Sequence, residues 1–119
     1  MGQTKRMEGS RYERLAARYL EQNGMNVLEM NYRCRTGEID IVARDGEYLV
    51  FVEVKYRRND KMGDPKEAVD RKKQKKISMT ASYYLMRECG RMDIPCRFDV
   101  AAVLGEQIEV VKNAFEYLP

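Results

Sequence analysis

An amphipathic segment near the start of the sequence predicts the first helix. Its apolar residues recur at helical spacing and form one stripe, which consists of Tyr12, Leu15, Ala16, Tyr19 and Leu20. Ser10 and Glu13 have the spacing of a capping box, in which each side chain bonds the other residue's backbone amide. Gly24 suits the left-handed position that follows a last helical turn. The pattern therefore predicts a helix over residues 11–23.

Three strands are predicted next, because the apolar positions change to an alternating pattern. Residues 27–33 alternate with period two. Residues 38–44 and 47–57 form two further apolar segments, and Asp45-Gly46 between them is a strong two-residue hairpin turn. The sequence therefore predicts an antiparallel hairpin that follows the first strand.

The hairpin turn determines which side chains share a face of the sheet. With Asp45-Gly46 at the tip, Asp40 pairs with Phe51, and Asp40 and Glu53 are diagonal neighbours whose carboxylates can reach one cation. A three-residue loop would instead move the side chains of one strand to the opposite face, and Asp40 and Glu53 would no longer lie together. In the predicted register, four polar side chains lie on one face: Glu38, Asp40, Glu53 and Lys55.

The second half of the sequence predicts a loop over residues 58–64 and then helical structure. The helix begins at Asp64-Pro65, or a short turn there is followed by a second helix that Asp70 caps, and Gly90 ends it. Its apolar face consists of Ile77, Thr80, Ala81, Tyr84 and Leu85. The remaining predicted elements are strands over 97–104 and 107–112 and one helical turn over 113–118. The order α-β-β-β-α-β-β predicts an α/β fold.

Composition and length limit the class of protein. The 119 residues are 44% hydrophobic and 34% charged, which is typical of one globular domain, here predicted over residues 1–119. No apolar run approaches the roughly 18 residues of a membrane helix, and the first residues do not resemble a secretory signal. Three cysteines without a Cys-x-x-Cys pair argue against a disulfide framework or a zinc site. We therefore expect a cytoplasmic protein that does not bind membranes.

The absence of histidine excludes several kinds of catalysis. Without an imidazole, the chain cannot use Ser-His or Cys-His catalysis or a His-rich zinc site. Asp40 and Glu53 each lie between two apolar residues, and clustered carboxylates in such strands suit a hard cation such as Mg²⁺ or Mn²⁺. Lys55 could stabilise charge on a phosphoryl group. The alternative is that this face is exposed to solvent and the charges are ordinary polar alternation.

Two sequence motifs resemble those of a known superfamily. The run Gly37–Ala43, followed by Val52–Lys55, resembles the Asp…Glu-x-Lys signature of PD-(D/E)XK nucleases. Together with Asn31–Arg33, Lys73-Gln74 and Arg97–Val100, it is more closely similar to the YraN family of uncharacterised bacterial proteins, whose shape resembles archaeal Holliday junction resolvases. The resemblance implies a restriction-endonuclease-like core with a mixed central sheet flanked by helices.

The resemblance also implies roles for individual residues. Asp40 and Glu53 would bind the Mg²⁺ or Mn²⁺ ion, with the backbone carbonyl of Val54 as a further ligand, and Lys55 would be the catalytic lysine. Glu13 occupies the position of a glutamate that the superfamily supplies from its first helix. The capping box explains Glu13 equally well, so both interpretations stay open.

A basic band follows the acidic motif. Ten basic and four acidic residues lie between Lys55 and Lys76, although the whole chain has a net charge of only +3. Such a band is typical either of a nucleic-acid contact or of a solvated helix face. The residues expected to contact phosphates are Arg57, Lys72, Lys73, Gln74 and Lys76.

The predicted function is therefore that of a metal-dependent nuclease that hydrolyses phosphodiester bonds in DNA, with branched or structured DNA as a candidate substrate. An alternative is a nucleic-acid-binding module that keeps the nuclease fold without catalysis, since fold does not imply function. A protein-interaction scaffold is a third, weaker alternative. A homodimer would supply the surface that a four-way junction requires.

Overall fold

The computed structural model describes residues 10–57 and 69–119. The two helices are α1 (Arg11–Gln22) and α2 (Arg71–Tyr84), and α2 continues into a π-helical turn over Leu85–Cys89. The five strands are β1 (Asn26–Cys34), β2 (Gly37–Asp45), β3 (Tyr48–Arg57), β4 (Cys96–Leu104) and β5 (Gln107–Phe115). The predicted order α-β-β-β-α-β-β is confirmed.

The strands form one mixed sheet in the order β1-β2-β3-β4-β5. All neighbouring strands are antiparallel except β3 and β4, which are parallel. A parallel pair needs a long crossover connection, and α2 lies in the chain between these two strands. The predicted α/β fold with a mixed central sheet is confirmed.

The sheet has an apolar core on each face. Ala16 and Leu20 of α1 pack with Val50 and Val52 of β3, on one face. On the other face α2 covers a second cluster, whose aromatic members are Tyr32, Phe51, Tyr84, Phe98 and Phe115. The alternation of side chains along β3 thus places each helix on its own face. In the part of the chain that the structure describes, no helix combines the length and the apolar character that crossing a bilayer requires.

The β2–β3 hairpin has a different register from the predicted one. Asp45 pairs with Tyr48, so the two loop residues are Gly46 and Glu47 rather than Asp45 and Gly46. Gly46 has a φ of 62°, which favours glycine, and the carboxylate of Asp45 accepts a hydrogen bond from Arg97 at 2.9 Å. This contact keeps Asp45 within the strand. The pairing shifts by two residues, an even number, so the predicted parity of the two strands is kept.

The other boundaries agree with the sequence pattern except at the end of the chain. Asp70 caps α2, since its carboxylate accepts a hydrogen bond from the Lys73 amide at 2.8 Å. The alternative start at Asp64-Pro65 and the loop over 58–64 lie outside the described residues. The helical turn predicted over 113–118 is wrong, because β5 continues to Phe115 and the following residues have no regular structure. The buried carboxylate of Asp99 binds the Asn113 amide at 2.9 Å and keeps this segment on the sheet.

Candidate active site

The candidate site lies where β2 and β3 stop pairing regularly. The last regular pair is Ile41 with Val52, and extending this register places Asp40 opposite Glu53. The carboxylate of Asp40 accepts a hydrogen bond from the backbone amide of Val54 at 2.8 Å. A side chain of β2 therefore bonds the backbone of β3 at this level of the hairpin. This contact fixes the Asp40 carboxylate beside the Glu-x-Lys motif.

Strand β2 also changes faces at Asp40. Ile39 belongs to the core under α2, whereas Ile41 belongs to the core under α1, although residues two apart normally share a face. The partners of these residues on β1 are Tyr32 and Met30, and they change faces in the same way. Between those two partners lies Asn31, with a left-handed φ of 53°. The site is therefore built at an irregularity that β1 and β2 share, and not on a regular strand face as predicted.

Burial and neighbouring charge perturb Asp40. Burial, followed by the negative charge of Glu53, raises the pKa of Asp40 to about 8. The hydrogen bond from Val54 opposes this shift, whereas Glu13 and Glu38 add to it. A pKa raised by burial beside a charged partner is typical of functional sites. The negative charges of Glu53, Glu13 and Glu38 therefore all disfavour the ionised form of Asp40.

Glu13 caps α1 and also lies in an acidic cluster. Its side chain accepts a hydrogen bond from the Ser10 amide at 3.0 Å, and its own amide donates to the Ser10 hydroxyl at 3.0 Å, so the capping box is confirmed. The same carboxylate forms a group with Glu38 and Asp40, in which one oxygen of each residue lies within 4.8 Å of the others. Helix capping thus aims Glu13 at the acidic cluster.

Glu38 was not among the predicted ligands. The strand pattern predicts only that Glu38 lies on the same face as Asp40, two residues away. In the structure its carboxylate accepts a hydrogen bond from Asn31, whose side-chain nitrogen also donates to Glu13. The signal in the sequence was the acidic pair within Gly37–Ala43, but the contact through Asn31 depends on a backbone irregularity that the hydrophobic pattern does not reveal.

Two lysines lie beside the carboxylate of Glu53, on the face of the sheet that α2 covers. The side chain of Glu53 is only 6% exposed, and one of its carboxylate oxygens lies 3.7 Å from the Lys55 amine and 3.4 Å from the Lys73 amine. Two cations beside a buried carboxylate offset the cost of removing it from water. The predicted catalytic pair Glu53 and Lys55 is therefore in contact, and α2 contributes Lys73 to the same position.

The other predicted phosphate ligands lie in different surroundings. Lys72 and Lys76 are exposed on α2. The side-chain amide of Gln74 donates to the backbone carbonyl of Val69 at 2.9 Å. Arg57 is buried, with 6% exposure, and has little surface to offer a phosphate group. Of the five predicted ligands, Lys73 is placed in direct contact with the acidic motif.

The donor atoms around Asp40 fit a hard divalent cation. Glu13, Glu38 and Asp40 supply carboxylate oxygens, and all three side chains are partly accessible. Among the described residues, the side-chain oxygen of buried Asn31 has no hydrogen-bond partner. Oxygen donors of this kind are the ligands that Mg²⁺, Mn²⁺ and Ca²⁺ prefer.

Comparison with known proteins identifies relatives along most of the chain. The sequence model of the uncharacterised protein family UPF0102 matches residues 12–103. A UPF0102 protein of Lachnoclostridium phytofermentans is 53% identical over 112 residues, which cover 94% of this chain and 95% of that protein. The UPF0102 protein YraN of Salmonella newport is 43% identical over 113 residues, which cover 94% of this chain and 86% of that protein. The resemblance to YraN proteins is confirmed, and the chain belongs to the protein family UPF0102.

Proposed function

We propose that this protein is a divalent-metal-dependent nuclease of the PD-(D/E)XK type that hydrolyses phosphodiester bonds in DNA. The observation that carries the proposal is the partly buried Asp40, whose pKa is raised beside Glu53, with Lys55 in contact with Glu53. Repelling carboxylates next to a lysine form a set that can hold a cation and bind a phosphate at the same place.

The residues that would hold the cation are Asp40 and Glu53, with the Val54 carbonyl and Glu13 as further candidates. A bound Mg²⁺ or Mn²⁺ ion supplies a water of lowered pKa and neutralises charge on the phosphoryl group. The Asp40 carboxylate is held in place for this role by the Val54 amide. The capping box fixes the orientation of Glu13 in the same way.

Lys55 is the residue proposed to contact the scissile phosphate. Its side chain is 35% exposed, so the amine can reach a bound nucleic acid while it remains next to Glu53. Lys73 contacts the same Glu53 oxygen from α2. Together they place two positive charges where an anionic substrate would approach the carboxylates.

The test is a cleavage assay with Mg²⁺ and with Mn²⁺, on four-way, flap and linear DNA and on RNA of the same sequence. We expect Asp40→Asn and Lys55→Met to lower the cleavage rate by about 10² or more, because each removes a group from the reacting centre. Glu47→Gln is the matched control, since it neutralises an exposed glutamate in the hairpin turn. Equal rates for wild type, Asp40→Asn and Lys55→Met would refute the site assignment.

One observation favours the binding module as the second candidate. The two lysines beside Glu53 already neutralise this carboxylate without a cation. A module of this kind would bind DNA in a salt-sensitive manner, and binding would survive Asp40→Ala. It would also cleave none of these substrates under any metal, whereas the nuclease would cleave at least one.

A further inference from the structure

Two tyrosine rings stack on each other between α1 and the end of β3. The ring centroids of Tyr12, in the first turn of α1, and Tyr56 of β3 lie 4.1 Å apart, and the ring planes differ by 22°. Tyr12 is partly buried, whereas Tyr56 is 44% exposed. Because Tyr12 covers one face of the Tyr56 ring, the exposed area of Tyr56 comes mainly from its other face, its edge and its hydroxyl group.

The tyrosine pair lies beside the candidate active site. Tyr12 immediately precedes Glu13 in α1. On β3, Tyr56 shares with Val54 the face of the sheet that α1 covers, because the two residues are two apart in a regularly paired strand. The Val54 amide holds the Asp40 carboxylate, and a strand rises about 3.3 Å per residue, so Tyr56 lies about 7 Å along β3 from this hydrogen bond.

The edge of β3 connects the tyrosine pair with the proposed phosphate contact. Regular pairing of β3 with β2 ends at Val52, so the following stretch of β3 has one edge beside the site. Lys55 and Tyr56 point to opposite faces of the sheet, but both lie along this edge. A nucleotide that crosses the edge can therefore place its phosphate beside Lys55 and its base on Tyr56.

An aromatic ring in this position suits an unpaired base. In proteins that bind single strands, bases stack on aromatic side chains, and every base can do so because every base has a π-face. A base inside an intact duplex is already stacked between its neighbours and does not offer that face. The stack with Tyr12 also fixes the ring plane of Tyr56 in advance, so less conformational freedom is lost when a base binds.

We propose that Tyr56, supported by Tyr12, is a stacking platform for an unpaired nucleobase next to the scissile phosphate. The substrate is then DNA with a single-stranded segment at the point of cleavage. This inference names the substrate class of the proposed nuclease and rests on that proposed function, since Lys55 and the carboxylates hold the adjoining phosphate. Stacking itself needs neither a bound cation nor cleavage.

The test compares flap DNAs that differ only in the bases of the single-stranded arm. One arm carries bases, and the other consists of abasic nucleotides with the same number of phosphates, on both 5′ and 3′ flaps. Fluorescence anisotropy in Ca²⁺ measures both affinities, and wild type should bind a flap with bases about tenfold or more tighter than its abasic counterpart. Tyr56→Leu should lose this preference, whereas Tyr56→Phe keeps a ring and should retain it.

Tyr48→Leu is the matched control. Tyr48 is 41% exposed on the same strand, and by alternation it lies on the same face as Tyr56, about 26 Å away along β3. This variant should keep the wild-type preference, and urea denaturation establishes that each variant is folded. A tyrosine pair that only closes the rim of the core would, when altered, change the affinities for both arms alike and leave their ratio unchanged.

The outcomes separate this inference from the proposed function. Equal affinity of wild type for the two arms, a preference that survives in Tyr56→Leu, or no binding of any flap would overturn the platform. Cleavage in Mg²⁺ that is independent of the bases in the arm would then leave the nuclease proposal standing. A preference lost in Tyr56→Leu alone supports the platform, and if no flap is cleaved in Mg²⁺ or Mn²⁺, the platform belongs to the binding module and the nuclease proposal fails.

Discussion

Asp40 makes the stability of the folded protein depend on pH. Burial and the charge of Glu53 raise its pKa to about 8, whereas an unfolded chain releases this proton near pH 4. Between these values the native state holds more protons than the unfolded state, so the free energy of unfolding falls as pH rises. We expect the Tm of metal-free protein to decrease from pH 5 to pH 8.5.

Thermal denaturation in EDTA at a series of pH values measures this dependence. Asp40→Asn cannot titrate and should lack most of the decrease, while Glu47→Gln should retain it. Saturating Mg²⁺ should also flatten the wild-type curve, because a bound cation favours the ionised carboxylate. Parallel curves for wild type and Asp40→Asn would show that another group causes the dependence.

Lys73 provides a second prediction at the level of single residues. Its amine lies 3.4 Å from an oxygen of Glu53, and this glutamate is almost fully buried. Lys73→Met leaves the carboxylate with Lys55 as its nearby lysine and should lower the free energy of unfolding by about 1 kcal/mol, since the lysine itself is half exposed. Lys72→Met is the matched control on the exposed side of α2. Urea denaturation at pH 7 compares them, and equal losses would contradict a specific role for Lys73.

At the level of secondary structure, local patterns determined most of the fold. Ser10 and Glu13 predicted the start of α1, Asp70 predicted one of two possible starts of α2, and both caps are present. The hairpin was predicted with the correct parity and a register wrong by two residues. The error arose because Asp45 is held in β2 by Arg97, a contact between residues 52 apart. Sequence rules that rest on neighbouring residues cannot predict a contact between residues so far apart.

The candidate site could be predicted only in part, because some of its contacts join residues that are far apart in the sequence. Asp40, Glu53 and Lys55 could be recognised because they stand at fixed spacing in apolar strands. The grouping of Glu13, Glu38 and Asp40 could not, since it depends on a left-handed Asn31 and on a change of faces in two adjacent strands. Hydrophobic alternation assumes a regular strand and is misleading at such an irregularity.

Asp99 holds three strands together and yields a prediction at this scale. Its fully buried carboxylate accepts two hydrogen bonds from Arg97, at 3.0 Å each, and one from the Asn113 amide. Arg97 in turn binds Asp45 at the end of β2. Asp99→Asn keeps the shape of the side chain and removes its charge from a buried ion pair, so we expect a loss of about 3 kcal/mol in the free energy of unfolding.

Urea denaturation checks this loss against Asp93→Asn, which removes the carboxylate of an exposed ion pair with Arg91 and should leave stability unchanged. Asp99 takes no part in the candidate active site, so a calorimetric titration of Mn²⁺ into folded Asp99→Asn should equal that into wild type. A stability equal to that of Asp93→Asn would show that the buried pair contributes no more than the exposed one.

At the scale of the whole molecule, the distribution of charge matters more than its sum. The net charge is only +3, yet α2 exposes Lys72, Lys75 and Lys76 on the helix that also brings Lys73 to Glu53. Exposed lysines around an acidic site can hold the backbone of a nucleic acid while the carboxylates bind cations. Binding of this kind releases counterions from the phosphates and is therefore weakened by salt.

A variant with Lys72, Lys75 and Lys76 all changed to glutamine tests this interpretation. If each lysine contacts one phosphate, the slope of log Kd against log salt should fall by about 2 to 3 for duplex DNA, and affinity should fall for every sequence alike. The control replaces three exposed arginines outside α2, Arg18, Arg44 and Arg91, by glutamine, so that net charge falls equally. Fluorescence anisotropy in Ca²⁺ at several salt concentrations gives both slopes. Equal slopes for the two triple variants would mean that general charge attracts DNA, and a reduced slope in the α2 variant alone would identify α2 as the surface that contacts the phosphates.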